Sequence, residues 1–244
     1  MDIEQIPHAK WFPEGAPEVM PPVTRVAASV ADRAALAGTA RPSRPANYAR
    51  NLFHLASAGV ALSAVAFLPT RGWLIAVPAG FALYAWSMEI FRRFSPRLNE
   101  RLMRLYGPVA HPHEWYRVNS ATWYATALFL LTLFATVPAM MTAVVVLGIA
   151  DPSAAFIGRR WGAHTLRAGR SLEGTLAFFA SGTLAAGIVL VLLHAGTPSG
   201  MLWLAAICGL VGAIAELFST NIDDNFTVPL AVGVIATLAT PLLG

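Results

Sequence analysis

Ala139-Met140-Met141-Thr142-Ala143-Val144-Val145-Val146-Leu147-Gly148-Ile149-Ala150-Asp151-Pro152-Ser153-Ala154-Ala155-Phe156-Ile157 is the stretch whose reading decides the fold. It has about the ~20 residues that cross a bilayer as a helix, and it is apolar on all sides. A single acid interrupts it. A carboxylate held in hydrocarbon is expensive enough that Asp151 reads by default as a functional group.

Six further runs of the same kind flank it, at 52–69, 73–91, 119–137, 174–194, 201–219 and 226–243. The composition agrees: 56% of the 244 residues are hydrophobic and 12% charged, against roughly a quarter charged in ordinary soluble domains. The mean hydropathy is +0.58. The runs are continuous, where a membrane β-barrel needs alternation. The expected architecture is therefore all-α, a polytopic membrane bundle of about seven transmembrane helices occupying residues 46–244. Only Val137-Pro138 separates the third and fourth runs, which predicts a tight helical hairpin.

Residues 1–45 are Pro-rich and mixed in charge, and they lack the basic start and short apolar core of a secretory signal. They read as a soluble, mobile arm, with a weak surface helix at Val23–Ala40. Cys208, alone in an apolar run, reads as a small buried hydrophobe. No disulfide framework or zinc spacing is present.

Basic residues order the loops, because short loops rich in Lys and Arg stay cytoplasmic. Arg33, Arg41, Arg44 and Arg50 precede the first span, and Arg92 to Arg117 follow the second. Arg159, Arg160, Arg167 and Arg170 follow the fourth. The intervening loops hold little beyond Arg71. This places the N-terminus in the cytoplasm, along with Arg50, His54, Glu89, Asp151, Glu216 and Asp223-Asp224-Asn225. The net charge of +4 is thereby explained by topology and headgroup attraction, and nucleic acid is not an expected partner. Polar clusters that converge on one face suggest one cytoplasm-facing site.

The chemistry of each cluster has a plainer alternative. Pro152 removes a helix hydrogen bond to Gly148 and disfavours the helical region at Asp151, which predicts a break at Gly148–Asp151. About 10 Å of helix then separates Asp151 from Gly158 at the surface. Asp151 is a candidate ligand or, alternatively, the N-cap of the restarted helix. Ala154, Ala155, Gly158 and Gly162 are small residues at helical spacing, suited to close helix packing. Arg159 and Arg170 crowd a loop whose flexible backbone can wrap phosphate, and guanidinium forks bind it bidentately. Topology alone also accounts for basic residues there. Glu216, Ser219 and Asp223 share a face if the sixth helix persists that far. Asp223, Asp224 and Asn225 offer hard oxygens suited to Mg²⁺, or simply form a turn. His54 is a candidate base or a hydrogen-bonded structural histidine.

Taken in order, three blocks resemble the membrane lipid-alcohol kinases that use CTP: dolichol kinase, phytol or farnesol kinase, and CTP-dependent diacylglycerol kinase. The blocks are Asp151-x-x-Ala154-x-x-x-Gly158-Arg159-x-x-Gly162, Ser171-Leu172-Glu173-Gly174-Thr175, and Glu216-Leu217-x-Ser219 with Asp223-Asp224-Asn225-Phe226-Thr227-Val228-Pro229-Leu230. Arg50-x-x-x-His54, Glu89-x-x-Arg92 and Asn119-x-x-Thr122 also resemble that family. Asn51 and Arg170 stand where it usually has Lys. CDP-diacylglycerol synthase shares the earlier blocks, but its Pro-Gly-His-Gly-Gly ending does not occur here.

The resemblance implies transfer of the γ-phosphoryl of CTP to a lipid alcohol. Asp151 and Glu216 would be the catalytic acids or bases. Metal, Mg²⁺ or Mn²⁺, would sit on Asp151, Asp223 and Asp224. Nucleotide or phosphate would lie against Arg50, Arg159, Arg170, Ser171 and Gly174, with His54, Glu89 and Asn225 as further candidates. Expected partners are CTP, the lipid alcohol and membrane lipids, with a homodimer left open. A cytidylyltransferase, and a transporter or other non-catalytic membrane protein, are the alternatives. No Walker loop occurs.

Overall fold

The computed structural model describes residues 48–242 except 108, 111 and 221. The expectations for the arm at 1–45, including the Val23–Ala40 helix and Arg33, Arg41 and Arg44, lie outside the described residues.

Eight α-helices make up the described residues. They are α1 (Tyr48–Phe67), α2 (Arg71–Phe94), α3 (Pro96–Tyr106), α4 (Ser120–Phe134), α5 (Val137–Trp161), α6 (Leu172–Leu192), α7 (Pro198–Phe218) and α8 (Asp224–Ala239). Short 3-10 turns lie at Pro112–Trp115 and Thr240–Leu242. All seven apolar runs are helices, and the chain is all-helical as its sequence predicts. Four helices, α2, α5, α6 and α7, are long and apolar enough to cross a membrane. Helices α4 and α8 are apolar but shorter, and Arg50, Asn51 and His54 dilute the hydropathy of α1.

Local chemistry sets the boundaries. Thr70, Ser95, Asn119, Thr136, Ser171, Thr197 and Asp223 each turn a side-chain oxygen onto a backbone N–H of the following first turn. That satisfies donors a helix start leaves unpaired. Pro96, Pro138 and Pro198 sit in the first turns of α3, α5 and α7, where a missing N–H costs nothing. The eighth helix, α3, was not foreseen. It is amphipathic, with Arg97, Glu100, Arg101 and Arg104 exposed and Met103 buried.

Helix α5 is the centre of the bundle, buried against α1, α6 and α8. Small residues permit its approach to α6: a Cβ on Gly174 would meet the Ala154 carbonyl oxygen at 3.1 Å and Gly158 Cα at 3.3 Å. The packing expectation for these residues holds. Phe178, Leu147, Leu190, Leu204, Val228 and Val232 fill the interior, together with a fully buried Cys208. Outward-facing Leu184, Ile188, Leu192, Leu202 and Trp203 are exposed, as expected of a surface that meets lipid tails.

Three expectations fail on packing. Helix α5 runs unbroken through Pro152. A break would have to be covered by protein, and here neighbouring structure supports continuity. Helix α1 presses so close that a Cβ on Gly148 would fall 2.5 Å from that of Ala58, and the Ser153 hydroxyl donates to the Ile149 carbonyl at 2.7 Å. With Asp151 inside the helix, its capping role is removed. The tight hairpin is also overturned. Two residues, Ala135 and Thr136, do join α4 and α5, but α4 packs on α2 and α8 while α5 packs on α6, α8 and α1. Lastly, α7 ends at Phe218 with Ser219 as its C-cap, so Asp223 belongs to the start of α8.

Candidate active site

Seven helices alternate in direction, so the end of α1 bearing Arg50 meets the end of α2, the starts of α4, α6 and α8, and the ends of α5 and α7. The polar residues at these ends form one connected set. Arg170 is its hub. Its guanidinium pairs with Glu216 through Nε, donates to the Ser219 carbonyl at 3.0 Å and reaches Asp224 Oδ2 at 2.9 Å. Burial opposes its charge, but the carboxylates of Glu216 and Asp224 more than offset this and raise its pKa above the ordinary arginine value.

The loop that carries Arg170 is a compact turn, in place of the flexible wrap expected of it. Leu166 N–H donates to the Arg170 carbonyl and Leu172 N–H to that of His164, both at 2.8 Å. Ala168 and Gly169 stand at positive φ of 53° and 79°. Ser171 and Gly174 close the α5–α6 seam: the Ser171 hydroxyl accepts from Gly174 N–H at 3.1 Å and would meet a Cβ on Gly158 at 3.1 Å. In this geometry they serve the helix start and the close packing beside it.

Asp223 caps α8 and also ties α4 to it. Its Oδ1 accepts from Asn225 N–H at 3.0 Å and Asn225 Nδ2 at 2.6 Å, and its Oδ2 accepts from Ser120 Oγ at 2.8 Å. Asn225 is itself buried. A second acid, Glu114, continues the set. Its Oε1 lies 3.0 Å from Ser120 Oγ and 3.5 Å from Arg50 Nη1, and its Oε2 accepts from Asn119 Nδ2 at 2.6 Å. Arg50 also donates to the Val109 carbonyl at 3.3 Å. Glu89 lies one step aside, buried, paired with Arg92 at 2.8 Å and accepting from Asn119 N–H at 2.9 Å. Its contacts make it a strut between α2 and α4.

Two groups on α5 stand apart because they lack such partners. Asp151 makes no hydrogen bond among the described residues; its nearest partner is His54, whose Nε2 lies 3.9 Å from Oδ2. It feels the charges of Arg50, Glu216, Arg170 and Asp223 around it. Arg159 has Nε and Nη2 buried with no hydrogen-bond partner. No group of three or more His, Cys, Asp or Glu side chains among the described residues could hold a metal ion by itself. An Mg²⁺ that accompanies a nucleotide needs only one or two carboxylates, with phosphate and water completing its shell. The hydrogen-bond-free Asp151 beside Asp223 fits that lesser demand.

Glu114 was not singled out in the sequence. It is the one acid between Glu100 and Asp151, but it falls in a polar connection where a solvated carboxylate is ordinary. Only its burial, at 1% exposure, marks it out.

Fold and site thus define an all-helical membrane protein with a buried, charged centre at one end of the bundle. The chain is similar to two CTP-dependent diacylglycerol kinases. It is 27% identical over 157 residues to CTP-dependent diacylglycerol kinase 1 of Schizosaccharomyces pombe, covering 60% of this chain and 72% of that protein. It is also 27% identical over 164 residues to CTP-dependent diacylglycerol kinase 1 of Saccharomyces cerevisiae, covering 59% of this chain and 56% of that one. No family model matches the chain, and no solved structure matches it.

Proposed function

We propose that this chain is an integral membrane kinase that transfers the γ-phosphoryl of CTP to the hydroxyl of a lipid alcohol. The observation that carries the reading is the pair of unsatisfied groups on α5, the Asp151 carboxylate without a hydrogen bond and the Arg159 guanidinium with two buried, unpartnered nitrogens. Buried guanidinium nitrogens without a hydrogen-bond partner are costly, and a nucleotide phosphate beside Arg159 removes that cost. The relatives supply the nucleotide: both are CTP-dependent kinases by name.

Phosphoryl transfer needs alignment and charge neutralisation more than covalent help from the protein. The alcohol oxygen forms a bond to the γ-phosphorus, the bond from that phosphorus to the β–γ bridging oxygen breaks, and CDP leaves. Asp151 takes the hydroxyl proton, with His54 beside it. Glu216 does not compete for this role, because Arg170 occupies it. Arg159 and Arg170 bind phosphates, and Arg50 adds positive charge. Bound Mg²⁺ would neutralise phosphate charge, held by Asp151 and Asp223 with phosphate and water completing its shell; Asp224, expected as a third ligand, is instead paired with Arg170.

Label placed on the γ-phosphate of CTP should enter the lipid phase in a Mg²⁺-dependent manner, and label on the α-phosphate should not. The reverse result would mean a cytidylyltransferase. The N-terminus and this site lie on the cytoplasmic side in this reading, because the basic loops lie there. Single cysteines near Arg97 and Arg167 should then be labelled only from the cytoplasm and one near Thr197 only from the opposite side. Labelling of the Arg167 and Thr197 positions from one side would refute this topology.

A further inference from the structure

A cavity of about 300 Å³ lies between α1, α2, α3 and the start of α4, with His54 in its lining. Its two ends differ chemically. Phe53, Phe81, Tyr84 and Met88 form apolar walls, while His54, Glu114, Ser120 and Asn225 line the polar end. That polar end is continuous with the acids: Ser120 Oγ donates to Asp223 at 2.8 Å and His54 stands 3.9 Å from Asp151.

The cavity opens sideways. Helix α1 packs on α5 and α2 packs on α4, and the two scarcely touch each other beyond the short link between them. At the outer wall Phe53, Phe81 and Tyr84 are 50%, 65% and 61% exposed, on a surface that faces lipid tails. Helix α3 covers the cavity from the polar end, with Leu102, Met103 and Tyr106 inward and its arginines outward.

We infer that this cavity is the acceptor site of the reaction proposed above, entered laterally from the bilayer by a lipid alcohol whose hydroxyl comes to rest between His54 and Ser120. The inference rests on the kinase reading and names where its second substrate binds. Arg50 and Arg92 also line the cavity, but each faces an acid there, Glu114 at 3.5 Å and Glu89 at 2.8 Å, so the phosphates of a nucleotide suit these walls poorly. A long-chain alcohol suits them at both ends. The volume is at the small end for ligand pockets, so it encloses the hydroxyl-bearing portion and the nearest part of the tail, leaving the rest in the membrane. Selection falls on bulk close to the hydroxyl, and total chain length matters little.

The test uses full-length protein in phosphatidylcholine vesicles with a diacylglycerol that carries a photoactivatable diazirine near the glycerol. Adducts are expected on α1 near Phe53 and on α2 from Phe81 to Met88, competed by excess unmodified diacylglycerol or polyprenol. Which competitor acts identifies the alcohol; competition by neither overturns the proposal. Adducts confined to the outer groove of α6 and α7 around Leu184 and Leu202 also overturn it. Ala85→Trp, and separately Ala125→Phe, fill the cavity from two helices. Each should raise KM for the lipid alcohol at least tenfold with KM for CTP unchanged, and an unaltered lipid KM in a folded variant refutes the site. Competed labelling here by a wild-type protein that transfers no γ-phosphoryl would remove the kinase reading and keep the lipid site.

Discussion

At one end of the bundle the helix starts are closed by threonines, and each acts on its own first turn: Thr70 on Trp73, Thr136 on Ala139 and Thr197 on Gly200. The one charge there among the described residues, Arg71, is used up on main chain, donating to the Thr132 carbonyl at 2.6 Å and the Ala135 carbonyl at 3.2 Å. At the other end the caps reach across. Asn119 caps α4 and donates to Glu114, and Asp223 caps α8 and accepts from Ser120. Satisfying a helix end is a local task that one threonine performs. Polar side chains that link four or five helices exceed that need, and the excess marks the end where chemistry belongs.

The sharpest way to break this contrast is to neutralise the acids. Asp151→Asn and Asp223→Asn should each lower γ-phosphoryl transfer by at least ~10²-fold, the scale on which positioned electrostatic groups act. Asp151→Asn should elute from size exclusion as the parent does, because it gives up no hydrogen bond. Full activity in both would return these acids to structural duty.

Next, the two arginines of the charged end should part company. Arg170→Ala should cost activity and also lower Tm, since it strands Glu216 and Asp224 as buried acids at a cost of ~3 kcal/mol or more. Arg159→Ala should cost ~30-fold in kcat/KM for CTP, equivalent to one charge-assisted contact of ~2 kcal/mol. It should leave Tm unchanged or raised, because that guanidinium has no partner to lose. A Tm loss in Arg159→Ala as large as in Arg170→Ala would make both structural.

The smallest effect belongs to the quiet end. Arg71→Ala should reduce stability by about 1 to 2 kcal/mol through its lost carbonyl hydrogen bonds and leave kcat and both KM values alone. A fall in kcat would show that the two ends are coupled.

Much of this was legible in the sequence, for physical reasons. Continuous apolar runs near the bilayer length announced seven helices, and acids scarce enough to count announced where polar groups would gather. Helix pairing was not legible. Helices that are apolar all round carry no stripe to say which face is inward, so chain proximity wrongly paired α4 with α5. The penalty before a proline is local, and at Pro152 it gave way to the packing of α1 across Gly148. Glu114 could not be distinguished from any solvated loop acid, because its significance lies in partners from α1 and α4 that only the fold supplies.

The unbroken course of α5 through Pro152 makes a ruler of it. Asp151 and Arg159 are eight residues apart on one continuous rod, so their Cα atoms are separated along its axis by about 12 Å at ~1.5 Å per residue. A hinge at Asp151 would have let these graduations drift. With the rod continuous, the backbone interval between the proposed phosphate-binding arginine and the proposed proton acceptor is set by helix geometry, and a substrate has to match it.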